Sequence, residues 1–322
     1  VAQEINSVAI LGAAGRMGKL HALNASFVCD DVRVYDERTG KAAGLARALG
    51  VTAAGLEQAL ASDLVIIATP TPTHLDLIRM SLDAGAKRVA TEKPITENLS
   101  QALRAKDLPD EVVVLFQRVD DPETNAARAA LQSGALGELR FITALAQDNG
   151  PPPAEYVRVS GGGPTDQGIH GFHELEYVTG RTIERVCATG TNRNADPVFA
   201  ECGDYATINA TLVLDDGTSV YMVVTRYGNT YSNTMTLYGE FQVRTFGEGP
   251  TSGFLDRYGA AYEAQIKNLV TGPLPDPNPR SVYRAIRAQA VAEAVQDSLR
   301  SGGDWRYVDD VISMAQPRAV RA

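Results

Sequence analysis

From Ser7 to Phe116 short apolar runs take turns with helix-forming stretches, and this alternation restricts the fold more than any other feature of the chain. Ser7-Val8-Ala9-Ile10-Leu11 is the first run. Its middle is apolar without a break, the pattern of a strand buried on both faces of a parallel sheet. Gly12-Ala13-Ala14-Gly15-Arg16-Met17-Gly18 follows, and then a helical stretch, Lys19 to Phe27. Residues 32–36 read as the second strand, 63–69 as the fourth, 88–92 as the fifth and 112–116 as the sixth. Helical segments at 41–49 and 55–61 lie between them, Thr73 reads as the N-cap of another helix, and Asn98 as the cap of the next. Strand and helix in regular succession give an α/β fold with a doubly wound parallel sheet.

A glycine turn between a first strand and a first helix suits a dinucleotide. Glycine lets the backbone approach a pyrophosphate, and the helix N-terminus offers N–H groups and positive dipole. Gly12, Gly15, Arg16 and Met17 are the candidate residues. The spacing is GxxGxxG, with Ala14 where a second glycine is usual, so the same stretch also fits a tight turn with no ligand. Asp36 ends the second strand about 20 residues past the glycines, where a carboxylate bonds the adenosine ribose hydroxyls and repels a 2′-phosphate. NAD is therefore favoured over NADP. Arg38 tempers this, since it could pair with a phosphate or stack on the adenine. Thr69, Pro70, Thr71 and His74 follow the fourth strand and Glu92 ends the fifth, all at the carboxyl edge where such sheets hold ligands. Lys93 comes next, before Pro94. Its ammonium can bond a substrate oxygen or move a proton; the plain alternative is a surface Glu-Lys pair before a turn.

The pattern changes at Asp121-Pro122, which divides a nucleotide-binding domain (1–121) from a second domain (122–322). A helix near 123–133 leads to alternating strands at 138–147, 184–193, 204–214, 218–227, 232–239 and 241–246. Asp215-Asp216-Gly217 makes a hairpin turn, and helices at 256–271 and 279–300 close the chain. These elements predict an α+β domain with a mostly antiparallel, open-faced sheet, whose free face suits a homo-oligomer, dimer or tetramer. A net charge of −9 argues against a nucleic-acid surface, and no apolar run has the length of a membrane span. The N-terminus runs almost directly into a strand, so no signal peptide is expected. Three scattered cysteines without metal-ligand spacing read as reduced thiols in a cytoplasmic protein.

The densest chemistry lies between Ser160 and Glu174, where Gly161-Gly162-Gly163 loops into a helix that Asp166 opens. At 100° per residue Asp166, His170, His173 and Tyr177 share an arc of roughly 60°. Three readings fit. His170 is a general acid/base oriented by Asp166; or Asp166, His170 and His173 hold a metal; or Asp166 is a cap and the histidines are satisfied packing residues. The first is preferred, because two of the chain's four histidines sit here and no further ligand cluster is evident.

Taken together, the glycine turn, Glu92-Lys93-Pro94, Arg118 with Asp121-Pro122, the glycine loop and Asp166-x-x-x-His170 resemble the Gfo/Idh/MocA family of NAD(P)-dependent oxidoreductases over essentially the whole chain. Tyr156-Val157-x-Val159-Ser160-Gly161-Gly162, Arg226-Tyr227-Gly228 and Phe254-Leu255-x-Arg257-Tyr258-x-x-Ala261-Tyr262 are most similar to its inositol 2-dehydrogenase branch. The resemblance implies a catalytic group of Lys93, Asp166 and His170, and reversible oxidation of a secondary alcohol on a cyclitol or sugar. Arg118, Asp148, Tyr156, His173 and Tyr227 become substrate-side residues on the same ground. His173 departs from the family's usual aspartate, Gly171 from a polar residue and Gln147 from an arginine, so the substrate need not be inositol itself; a modified cyclitol, an amino-cyclitol or a pyranose fits. Two other activities stay open: a redox-neutral hydrolase or eliminating enzyme with tightly held NAD, and a nucleotide-sensing protein without catalysis.

Overall fold

The computed structural model describes residues 4–193 and 195–316, and these form two compact units. The first takes the chain up to Glu97, then Arg104–Gln117 and Ala260–Ile286; the second takes Asn98–Leu103, Arg118–Gly259 and the chain from Arg287 onward.

In the first unit β1 (Ser7–Leu11), β2 (Asp31–Tyr35), β3 (Thr52–Ala53), β4 (Leu64–Ile67), β5 (Arg88–Glu92) and β6 (Val112–Leu115) form one parallel sheet in the order β3-β2-β1-β4-β5-β6. The order reverses between β1 and β4, and the carboxyl ends of strands at such a switch point are where α/β sheets bind ligands. The helices are α1 (Arg16–Ser26), α2 (Thr39–Leu49), α3 (Leu56–Leu60) and α4 (His74–Asp83). β1 and β4 are buried because both sheet faces are covered, as their uninterrupted apolar runs require. Ile266, Leu269 and Val270 complete this core against Val8, Ile10, Val34 and Ala90. The outer edge of β6 is not bare: the Val114 N–H donates to the Arg280 carbonyl at 2.9 Å.

Two local expectations change here. α1 starts at Arg16 rather than Lys19, because Gly18 sits inside the helix as the contact point with the turn; a Cβ on Gly18 would fall on the Gly12 carbonyl. Thr73 occupies the N-cap position of α4 but does not cap it. Its hydroxyl turns back to the Pro70 carbonyl (2.8 Å) and the Thr69 hydroxyl (2.7 Å), closing a single 3₁₀ turn over Thr71–Thr73.

The second unit begins with α5 (Leu99–Ala102), capped as expected by Asn98, whose Oδ1 accepts the Gln101 N–H at 3.0 Å. It continues through α6 (Pro122–Gln132), β7 (Leu139–Gln147), α7 (Ala154–Val157), a π turn (Pro164–Gly168), α8 (Ile169–Thr179), β8 (Ile183–Thr191), α9 (Val198–Glu201), β9 (Thr207–Leu214), β10 (Ser219–Thr225), β11 (Tyr231–Gly239) and β12 (Val243–Thr251). α10 (Phe254–Thr271) leaves this unit and α11 (Val282–Arg300) returns to it, before β13 (Arg306–Tyr307) and α12 (Val308–Ala315). The sheet order is β12-β11-β7-β10-β9-β8-β13, antiparallel except for the parallel pair β7/β10. One phase of the central strands is buried: Ile208, Ala210 and Leu212 on β9, and Val220, Met222 and Val224 on β10. α8 lies against this face, so close at Gly171 that a side chain there would strike Met222. Tyr221, on the other phase, is exposed. No helix among the described residues is long and apolar enough to cross a membrane.

Candidate active site

The first unit supplies a cradle at the end of β1. Gly12 has φ of +77°, and a Cβ on it would lie 2.6 Å from the Ala68 carbonyl oxygen. The Gly12 and Ala13 N–H groups both donate to the Tyr35 carbonyl, at 2.9 and 3.0 Å, which ties the turn to β2. Gly15 is the N-cap of α1; no side chain caps the helix and its first turn holds no acidic residue. The N–H groups that begin at Arg16 and Met17 present positive dipole at this turn, an arrangement that fits a dinucleotide pyrophosphate.

Asp36 closes the same corner and is only 6% exposed. Its Oδ2 accepts the Ala14 N–H at 2.9 Å; its Oδ1 accepts the Arg38 N–H at 3.0 Å and Nε–H at 2.9 Å. Burial works to raise this carboxyl, but Arg38 and the backbone N–H groups outweigh it and hold it below the usual carboxylate range. Arg38 thus pairs with Asp36 itself, rather than being turned toward a phosphate or an adenine. Ala14, where a second glycine is usual, contributes its N–H to the carboxylate and so helps aim it.

β4 and β5 end side by side. Thr69, Pro70 and Thr71 follow β4, and Lys93, half-buried, follows Glu92 at the end of β5, with a cis Lys93–Pro94 peptide. Two of the expected cofactor residues, His74 and Glu92, also bond to the chain itself at this edge. His74 is buried, with Nδ1 3.0 Å from the Pro94 carbonyl oxygen and Nε2 3.0 Å from that of Thr69. Its burial lowers the imidazole pKa, and the neutral ring donates to one carbonyl at a time, tying the two loops together. Glu92 turns to His21, whose Nε2–H donates to Oε1 at 2.7 Å, while the Lys93 backbone N–H lies 3.3 Å from Oε2. Burial opposes ionisation of Glu92, but the His21 bond and the charge of Lys93 hold its pKa down. His21 itself is fully buried, edge-on to the Tyr262 ring at 6.4 Å.

In the second unit Asp166 lies in the π turn, so the 100° step counted from the sequence does not reach it. The regular spacing holds for His170, His173 and Tyr177 within α8. The Tyr156 hydroxyl, on exposed α7, donates to Asp166 Oδ1 at 2.8 Å. Arg226 Nη1 lies 3.8 Å from Asp166 Oδ2. Asp148 ends β7, where its N–H donates to the Thr225 carbonyl (2.9 Å) and its carbonyl accepts the Gly228 N–H (3.1 Å), so the segment of Tyr227 runs beside it. His170 is half-buried and His173 buried on α8. Tyr177 packs between helices, its hydroxyl donating to Asn125 Oδ1 at 2.7 Å.

Arg118, expected on the substrate side, lies in a buried polar network. It is 5% exposed, with Nη1 donating to Glu174 Oε2 (2.7 Å) and Nη2 to Asn233 Oδ1 (2.8 Å), over the Tyr258 ring. Arg257 forms a two-bond pair with Asp121 (2.6 and 2.8 Å) over the same ring, and the Thr124 hydroxyl bonds both Asp121 (3.0 Å) and Glu174 (2.5 Å). This network encloses an internal space of about 20 Å³ and joins α6, α8, β11 and α10. Burial there pushes the Tyr231 hydroxyl up to about 12. Among the described residues no group of three or more His, Cys, Asp or Glu side chains is gathered as a metal-ligand set.

His21, Arg226 and Asp204 were given no role by the sequence reading. A signal existed for two of them. His21 falls on the buried stripe of α1 with Gly18, Ala22 and Ala25, and Arg226 continues the buried phase of Val220, Met222 and Val224. A charged or polar residue in the phase of a core needs a partner.

Residues 6–118 match a family described as an oxidoreductase family with an NAD-binding Rossmann fold, and residues 124–242 match the GFO/IDH/MocA C-terminal domain. The chain is similar to an inositol 2-dehydrogenase of Rhizobium meliloti (strain 1021), with 31% identity over 291 residues, 81% of this chain and 86% of that protein. It is similar in structure to a myo-inositol dehydrogenase from Corynebacterium glutamicum ATCC 13032, with a TM-score of 0.84 and 26% identity over 94% of this chain and 98% of that one. Scyllo-inositol dehydrogenase from Lactobacillus casei, with bound cofactor NAD(H) and scyllo-inositol, shares the fold at a TM-score of 0.82 and 20% identity, over 95% of this chain and 100% of that one.

Proposed function

Because this chain belongs to the Gfo/Idh/MocA family of NAD-binding oxidoreductases, we propose that it oxidises a secondary hydroxyl of a cyclitol or sugar to a ketone, reversibly, with NAD. The observation that carries this reading is the presence of Lys93 directly after β5, of Asp166 in the π turn and of His170 at the start of α8, in a chain 31% identical to an inositol 2-dehydrogenase over 81% of its length. Gly12, Gly15, Arg16 and Met17 would hold the pyrophosphate and Asp36 the adenosine ribose, with Thr69, Pro70 and Thr71 in the adjoining loop. When bound, the nicotinamide supplies the hydride acceptor.

The chain's own part is proton handling and orientation. Lys93 donates a hydrogen bond to the reacting hydroxyl and favours its alkoxide character. His170 takes the hydroxyl proton. Asp166 accepts from Tyr156 on one oxygen and faces Arg226 with the other, so it enters the reaction already oriented. Asp148, Tyr227 and His173 are assigned to substrate hydroxyls; imidazole in place of a carboxylate adds a donor, which suits a modified ring or an amino-cyclitol.

The test is NADH formation at 340 nm, with NAD and NADP tried separately against myo-, scyllo- and chiro-inositol, glucose, galactose and xylose. Lys93→Ala, Asp166→Asn and His170→Ala should each cut kcat at least about a hundredfold with the best substrate. Unchanged turnover in Lys93→Ala refutes the assignment; silence with all substrates but NAD retained on the protein points to redox-neutral chemistry. In the same reading the exposed face around Tyr221 pairs with a second copy as a dimer or tetramer, checked by sedimentation, and the unpaired Cys29, Cys187 and Cys202 suit a reducing cytoplasm.

A further inference from the structure

Arg226 is 1% exposed and the largest of the fully buried side chains among the described residues. It stands one residue beyond β10, on the inward phase, so the fold places a cation where an apolar residue would be expected. A guanidinium so placed must be matched by acceptors. Its Nη2 donates to Asp204 Oδ2, its Nη1 donates to Ser160 Oγ at 3.1 Å, and the same Nη1 lies 3.8 Å from Asp166 Oδ2. The Phe199 ring lies 5.1 Å below. Asp204 is fixed in turn, since its Oδ1 accepts the N–H groups of Gly163 (3.0 Å) and Tyr205 (2.8 Å).

One guanidinium therefore faces two carboxylates unequally. Asp204 is in direct contact and nearly buried; Asp166 is farther off and more exposed, and its other oxygen takes the Tyr156 hydroxyl. Asp148, Tyr156 and Cys202 also face Arg226 electrostatically. Arg226 meets three parts of the approach to α8: Ser160 before the glycine loop, Gly163 through Asp204, and Asp166 in the π turn. Gln296 holds the loop from α11, donating to the Gly161 carbonyl at 2.6 Å.

We propose that Arg226 is the positioning residue for Asp166: anchored by Asp204, it holds the aspartate in place in the π turn that leads into α8, with Tyr156 steering the second oxygen. This rests on Asp166 belonging to the acid–base group. Lysine cannot replace it fully, because a point charge cannot reach Asp204, Ser160 and Asp166 together as a planar fork does.

The experiment is steady-state kinetics with NAD and the best polyol, on wild type, Asp166→Asn, Arg226→Lys and the double variant Asp204→Asn/Arg226→Met. The double variant removes both members of the buried pair, so it leaves no uncompensated charge inside. In Arg226→Lys and in the double variant kcat should fall roughly 10- to 100-fold with KM for NAD unchanged. A folded double variant that keeps wild-type kcat, or that loses rate only through a raised KM for NAD, overturns the positioning role. So does failure of both Arg226 variants to fold, which would assign the residue to the scaffold alone. If Asp166→Asn keeps wild-type kcat, the reading of Asp166 itself fails, and that result is separable because it appears without touching Arg226.

Discussion

Asp36→Ala tests the cofactor half most directly. The wild-type carboxylate already holds the N–H of Ala14 and the N–H and Nε–H of Arg38, and Arg38 Nη2 lies farther off at 3.3 Å. A carboxylate has about four lone-pair sites, so an adenosine ribose hydroxyl displaces the longest of these contacts rather than adding to them. One charge-assisted bond is then at stake for NAD, about 1.5–3 kcal/mol, or roughly 10- to 150-fold in KM. For NADP the sign reverses. The variant removes a negative charge that would face the 2′-phosphate, worth on the order of 3–4 kcal/mol at an effective dielectric near 20, and it releases Arg38 to pair with that phosphate. The NAD-over-NADP ratio of kcat/KM should therefore fall by roughly 10³ or more. Ala14 loses its acceptor, so unfolding free energy should drop by about 1–3 kcal/mol. Both are read on purified protein, by initial rates with each cofactor and by urea denaturation. A folded Asp36→Ala that keeps its cofactor ratio would refute the reasoning, because it would mean the carboxylate serves only to cap the turn.

Gly18→Ala drives a methyl onto the Gly12 carbonyl, so the helix must shift; it should cost about 1–3 kcal/mol in stability and weaken NAD binding measured by calorimetry. Asp121→Asn breaks a two-bond pair with buried Arg257 and should cost about 3–5 kcal/mol in urea denaturation, with no change in cofactor preference. His21→Leu removes the donor to Glu92. Glu92 has a depressed pKa when folded, so its contribution to stability is present above its ordinary value of 4.5 and is lost as pH falls through the depressed value. The stability gap between wild type and His21→Leu should therefore be full at neutral pH and close progressively below 4.5; a gap independent of pH would show that packing alone is at work.

What could be read from the sequence followed how local each cause was. β1, the glycine turn and Asp36 are set by neighbours within one βα unit, and all fall where the residues imply. Asn98 caps its helix because a cap needs only the next three residues. The burial of Arg118 was not legible because its partners, Glu174, Asn233 and Tyr258, are far away in the chain, and an arginine gives no local sign of whether it will be buried. The π turn at Asp166 has no marker of its own; it exists because the glycine loop is pinned from outside by Asp204 and Gln296. The parallel pairing of β7 with β10 was likewise invisible, since alternation reports which face a residue takes and not which strand lies beside it.

The discontinuity of the first unit has a consequence for synthesis. Its parallel sheet is translated by Gln117, yet Ile266, Leu269 and Val270 of its core, and Arg280 that covers its last strand, come after β7 to β12 of the second sheet. At typical elongation rates the ribosome needs on the order of ten seconds for the intervening stretch. During that interval the nascent sheet stands with an uncovered apolar patch and a free edge at β6, the condition that invites chaperone capture or strand-to-strand association. A gene fragment ending near residue 121 would stay in that state permanently. A soluble nucleotide-binding fragment should therefore require the 260–286 segment to be supplied as well, joined or in trans.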